Sequence, residues 1–216
     1  QGNTDTASVT VTINGTSTEP VLDLDADDSS GGIDKDYFGN FIMGIDSSVS
    51  IVDSDITLTD PDDSSFASIE ITTGGILDGS NETFTIGGAT FNLSANTGLT
   101  TVTIGSVNYD VSVNSGVVTI LKTGGAYMSN AQTLAALSNI TYSNALEGLS
   151  TEGERTFDVV VNDGSEDSPV ATSTINVTNP DAVPPVANDD SATLDEGNSV
   201  NIDLTGNDTD VGTGIL

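Results

Sequence analysis

The residues equipped to do chemistry in this chain are carboxylates, and they come in clusters. Asp23, Asp25 and Asp27 alternate, with Asp28 beside the last. In an extended segment, side chains two apart share one side, so three carboxylates can converge on one cation. Asp53 and Asp55 repeat the spacing just before a predicted strand, and Asp60, Asp62 and Asp63 follow that strand around Pro61. Asn162, Asp163 and Asp167 surround Gly164 at a predicted hairpin tip, and Asn188, Asp189, Asp190, Glu196, Asp208 and Asp210 gather near the end. Calcium takes about six to eight hard oxygen ligands with tolerant geometry, whereas magnesium prefers a strict octahedron and keeps its waters. Zinc and copper want His or Cys, and the chain has neither. Calcium, as several ions, is the natural match. The competing account of any single Asp is turn formation, since Asp side chains readily hydrogen-bond nearby backbone.

The charge balance agrees with bound cations. Lys35, Lys122 and Arg155 stand against 33 acidic residues, a formal net charge of −30. Such a field repels itself in any compact state and excludes nucleic acid or an anionic membrane as partners. An acidic disordered chain is one reading. A folded chain neutralised by cations is the other, favoured by the excess of Asp over Glu and by clear strand periodicity. With no Cys there is neither a disulfide brace nor a thiolate metal site. The usual nucleophilic triads need His, which is also missing, so catalysis is not expected. Paired carboxylates alone can serve glycoside hydrolysis, but Trp is absent and aromatics total 5%.

The elements that must hold these clusters read as strands. Ile56–Thr59, Ser68–Thr72, Thr83–Ile86, Val107–Val113, Val117–Leu121, Thr156–Val161 and Ser173–Val177 alternate or run apolar. Gly87-Gly88, Gly105-Ser106 and Asn114-Ser115-Gly116 mark turns between them. One helix is predicted where Ser129 and Gln132 form a capping box and Leu134 and Leu137 then share a face. The expected fold is an all-β, cadherin- or immunoglobulin-like sandwich with one short helix.

A repeat supports a modular parse. Ala7–Ile13 aligns with Ala171–Val177, and Pro20 with Pro184 at the same offset, each proline being followed by an Asp-rich entry. Residues 1–18 are thus read as the end of a preceding repeat, 19–182 as one complete module, and 183–216 as the start of a following repeat. The opening residues do not form a signal peptide, so the sequence reads as an internal fragment.

At this point the motifs resemble a known family. Leu22-Asp23-Leu24-Asp25-Ala26-Asp27-Asp28-Ser29-Ser30-Gly31, with Asp36-Tyr37 and Phe41 after it, is similar to the opening of cadherin-like repeats in giant bacterial RTX-type adhesins. Ile51–Asp60, Leu134–Tyr142, Arg155–Gly164 and Pro185–Asp190 resemble further stretches of such repeats. The chain departs from them at Ile42-Met43-Gly44-Ile45-Asp46, and residues 74–128 match no motif of the family. The resemblance implies a calcium-rigidified module of a long secreted fibre that tethers a bacterium to a surface. Its partners would be neighbouring repeats of the same chain, with the extracellular cell surface as its location and no membrane insertion. An alternative within the same family is a ligand-binding module gripping a peptide or glycan. Tyr37, Phe38 and Phe41, with Met43, would then form an aromatic wall beside an Asp cluster; packing into the core is the competing fate of these side chains.

Overall fold

The structure is a computed structural model, and it describes residues 2, 6–9, 17–146, 150–178 and 186–209. Alternation of apolar and polar residues produces most of its strands. In chain order these are β1 (Val21–Asp23), β2 (Tyr37–Ile42), β3 (Val49–Ser50), β4 (Thr57–Thr59), β5 (Ser65–Phe66), β6 (Ser68–Gly74), β7 (Glu82–Ile86) and β8 (Ala89–Asn92). There follow β9 (Thr97–Ile104), β10 (Val107–Asn114), β11 (Val117–Lys122), β12 (Met128–Ser129), helix α1 (Asn130–Leu137), β13 (Ile140–Asn144), β14 (Gly153–Asn162) and β15 (Ala171–Thr178).

A seven-stranded sheet runs in the order β2-β15-β14-β6-β11-β10-β9, and a four-stranded sheet in the order β3-β13-β7-β8. Two small pairs, β1-β4 and β12-β5, complete the β structure. Pairing is antiparallel except between β15 and β2, where Ser173 faces Tyr37 and Thr178 faces Ile42. The turn between β10 and β11 shows why the sequence folds locally as it does. Ser115 (φ 51°) and Gly116 (φ 80°) both occupy the left-handed region, as the tight hairpin turns that match strand twist require.

The two larger sheets face each other through aromatic rings, making an all-β sandwich with one short helix. Phe84 of β7 meets Phe157 of β14 at 4.7 Å between centroids, and Tyr142 of β13 meets Phe157 at 5.7 Å and Phe41 at 5.5 Å. Around them Ile69, Ile71, Val111, Val113, Val118, Ile120, Val159, Val161 and Ile175 are fully buried, each on the inward step of its strand. Helix α1 begins with the predicted capping box: Ser129 accepts from the Gln132 N–H and the Gln132 side chain accepts from the Ser129 N–H. The Tyr109 hydroxyl donates to the Gln132 carbonyl at 2.9 Å, tying the helix to β10.

One buried element is polar. Arg155 has no exposed surface, and its Nε donates to Glu82 Oε1 at 2.5 Å while Nη2 donates to Asp78 Oδ2 at 3.1 Å. Nη1 and Nη2 also donate to the carbonyls of Gly153 and Thr151, at 3.0 and 2.7 Å. The Tyr142 hydroxyl donates to Glu82 Oε1 at 2.8 Å, and burial, then the adjoining Glu82 charge, push that phenol far above its usual pKa. Around Asp78, burial acts to raise the carboxyl, but the Thr151 hydroxyl, the Asn144 amide, the Thr151 N–H and Arg155 together hold it below 3.8. The network joins β7, β13 and β14 across the sandwich.

The strand expected over Ala7–Ile13 is not seen where it can be checked: Ala7–Val9 are exposed and carry no regular structure, and Thr10–Ile13 lie outside the described residues. Residues 179–185, with Pro184 and the expected boundary to the following repeat, also lie outside them. Among the described residues no helix is long and apolar enough to cross a membrane.

Candidate metal centre

Three carboxylates meet beside the β1-β4 pair. Asp25, Asp53 and Asp55 each present an oxygen, and these atoms lie within 4.8 Å of one another. Two oxygens bound to one calcium ion at about 2.3–2.6 Å can stand up to about 5 Å apart, so the spacing admits a shared ion.

The backbone explains the convergence. After β1, Leu24 sends a fully buried side chain into the core. Its N–H donates to the Lys35 carbonyl, and its own carbonyl accepts from the Asp53 N–H, each at 2.9 Å. The second bond lays the segment before β4 against residue 24, which makes Asp25 and Asp53 neighbours. Val52 and Ile56 are buried anchors, and Asp53 and Asp55, on alternate positions between them, stay half-buried. The Ala26 N–H then donates to Asp55 Oδ1 at 3.2 Å.

Asp25 forms the floor of the site, with no exposed surface. Its Oδ1 accepts from the Ser29 N–H at 3.1 Å, and its Oδ2 accepts from the Ser30 N–H at 2.9 Å and from the Ser30 hydroxyl. The Ser30 hydroxyl outweighs burial and, with the two amides, holds the Asp25 carboxyl below its ordinary value. Asp55 moves the other way. Burial first, then the charges of Asp27 and Asp53, push its carboxyl up, opposed by the Ala26 N–H. Asp25 thus presents a carboxylate already stabilised by hydrogen bonds, while Asp55 sits among like charges that a shared cation would offset. The Tyr37 ring borders the cluster: burial raises its phenol pKa first, and the charges of Asp53 and Asp25 raise it further.

The expected alternation of Asp23, Asp25 and Asp27 in an extended run does not occur, because the chain leaves β1 after Asp23 and turns at Ala26-Asp27. Asp23 Oδ1 accepts from the Asp25 N–H at 3.1 Å, and Asp27 Oδ1 from the Ser29 N–H at 3.0 Å. Both oxygens shape turns, and Asp27 also brings its charge near Asp55. Asp28 is exposed at φ 54°. The partners of Asp25 come instead from Asp53 and Asp55, so the site joins two clusters that look separate in sequence.

The other clusters have different fates. Asn162 Nδ2 donates to Asp167 Oδ1 at 2.7 Å and Asn162 Oδ1 accepts from the Gly164 N–H at 2.7 Å, so both side chains shape the hairpin loop. Asp163 is buried, Asp60 half-buried, and Asp62 and Asp63 exposed. Asn188 and Asp208 are brought together, the Asn188 N–H donating to Asp208 Oδ1 at 2.8 Å. Asp189, Asp190 and Glu196 are exposed, and Asp210 lies outside the described residues.

Tyr37, Phe38 and Phe41 do not form an aromatic wall. Strand β2 alternates, so Tyr37 and Phe41 turn toward the core while Phe38 takes the opposite face. Phe41 and Met43 are 1% and 2% exposed.

No family model matches this chain, and neither a curated protein nor a solved structure matches it.

Proposed function

We propose that this chain is a calcium-dependent adhesion module, a non-catalytic β-sandwich unit of an exported bacterial surface fibre. The observation that carries the proposal is the meeting of Asp25, Asp53 and Asp55, with Asp25 buried and already held in its charged form by Ser29 and Ser30. Calcium there would tie the turn after β1 to the segment before β4. It would also offset part of the net charge of −30 that remains once Lys35, Lys122 and Arg155 are counted. A unit stiffened in this way suits a fibre that holds its reach, with neighbouring repeats of the same chain as its first partners and a peptide or glycan on the target surface as its last. A chain without Cys gains from calcium the brace that disulfides give other exported domains.

The test is a set of thermal melts in millimolar calcium and in chelator, on the wild type and on the Asp53→Asn/Asp55→Asn variant. The expected result is a calcium-dependent rise in Tm in the wild type that is smaller in the variant. Coincident wild-type curves in the two buffers reject the proposal.

A further inference from the structure

A second group of carboxylates lies where two distant turns meet. Asp60, Asp62 and Asp63 occupy the turn between β4 and β5, and Asp163 opens the turn between β14 and β15. The seven-stranded sheet brings the turns together: Asn162 pairs with Ser68 at the end of the β14-β6 ladder, and the Ala67 N–H donates to the Asn162 carbonyl at 2.7 Å.

Asp60 and Asp163 divide their oxygens in the same way. Asp60 Oδ1 accepts from the N–H groups of Asp62 and Asp63, at 3.1 and 3.0 Å. Asp163 Oδ1 accepts from those of Ser165 and Glu166, at 2.6 and 2.7 Å. The Oδ2 atom of each is shut off from solvent and accepts no hydrogen bond. Asp163 as a whole is only 3% exposed. Neither carboxylate can rotate toward another donor without giving up two amide bonds. Among the described residues the salt bridges are those of Arg155 with Asp78 and Glu82, so none of them neutralises this cluster. Asp63, though exposed, senses the group: partial desolvation first, then the charges of Asp163, Asp60 and Asp62, raise its carboxyl pKa.

Buried charges in proteins are paired or coordinate metals. We propose that Asp60, Asp63 and Asp163 form a second divalent-cation site, of the hard-oxygen class that calcium fills, clamping the β4-β5 turn onto the β14-β15 turn. Asp62 serves differently, its Oδ1 accepting from the Thr18 N–H at 3.2 Å and so holding the chain that leads into β1. The site rests on the same reading of clustered carboxylates as calcium ligands, but it uses none of Asp25, Asp53 and Asp55.

Calcium titration of the chelator-stripped full chain by isothermal calorimetry tests it, with terbium luminescence as a second readout. The proteins compared are the wild type, Asp60→Asn/Asp163→Asn, Asp63→Asn and Asp53→Asn/Asp55→Asn. Asn keeps the size of Asp and an oxygen for the local amides, and circular dichroism checks that each variant is folded; Asp63, being exposed, provides the variant least able to disturb folding. The expected result is one bound ion fewer in Asp60→Asn/Asp163→Asn and about tenfold weaker binding at one site in Asp63→Asn, the size of effect expected when a metal site loses a supporting group. Unchanged stoichiometry and affinity in both would overturn the second site and leave the proposed function standing. A wild type that binds no ion would overturn both.

Discussion

Replacing Arg155 with Met is the sharpest test of the frame that carries these sites. Met matches much of the length and volume of Arg but cannot donate. The change removes the 2.5 Å bond to Glu82, the 3.1 Å bond to Asp78 and the bonds to two carbonyls. Glu82, with no exposed surface, is left with the Tyr142 hydroxyl and the Asp78 N–H. Removing one partner of a buried ion pair costs about 3–5 kcal/mol, because the other charge stays buried. For a domain of this size each kcal/mol shifts Tm by roughly 2–4 °C, so a fall of roughly 6–20 °C is expected. Thermal melts followed by circular dichroism, at fixed calcium and pH, measure it. Adding Glu82→Gln should return about half of the loss or more, because Gln keeps the Tyr142 bond and removes the stranded charge. A shift under about 2 °C, or a double variant no more stable than Arg155→Met alone, would refute the reasoning.

Three further outcomes follow from the same physical chemistry. Phe157→Ala empties the place where the Phe84 and Tyr142 rings meet and should cost about 3–5 kcal/mol in urea denaturation; a cost below about 1 kcal/mol would mean that the sheets do not pack there. Ser129→Ala removes the capping acceptor of α1 and should cost about 0.5–2 kcal/mol by the same assay. The metal-free protein should respond to pH in two directions. Asp55 and Asp63 have raised pKa values, so their contribution to stability is full below 3.8 and is lost as pH rises through those raised values. Asp25 and Asp78 are depressed, so theirs is present above 3.8 and is lost as pH falls through their lowered values. In chelator, Tm should therefore rise as pH falls through the raised values toward 3.8 and fall again as it passes through the lowered ones, and calcium should flatten the rise. A chelated Tm that shows no rise anywhere as pH is lowered from about 7 to 3.8 would contradict this.

Much of the fold is legible in the sequence because burial of alternate residues writes itself directly into a strand. The runs around Ile69, Val111, Ile120 and Val159 are recognisable for that reason, and Ser129 with Gln132 marks the start of α1 by a hydrogen-bond pattern local to four residues. Strands β2 and β9 are not legible. Thr97-Gly98-Leu99-Thr100-Thr101 looks like a loop, since β9 is an edge strand that buries only Val102. In β2, Gly39-Asn40 looks like a turn; the strand exists because it pairs in parallel with β15, and a Cβ on Gly39 would stand 2.8 Å from Ile175 Cδ1. The site was half legible. The types of its ligands point to a hard cation, but the joining of Asp25 to Asp53 and Asp55 depends on the bond between Leu24 and Asp53, which has no local signature. Arg155 did leave a trace: it sits two residues before Phe157 and four before Val159, on the inward register of β14. An inward Arg demands buried acids, and Glu82 and Asp78 answer it.

The most direct measurement is the calcium content of the purified chain after equilibration in millimolar calcium and removal of free ion, by elemental analysis, beside the Asp53→Asn/Asp55→Asn variant. Stoichiometric calcium is expected in the wild type and one ion fewer in the variant. Equal calcium in the two proteins, or none in the wild type, would contradict it.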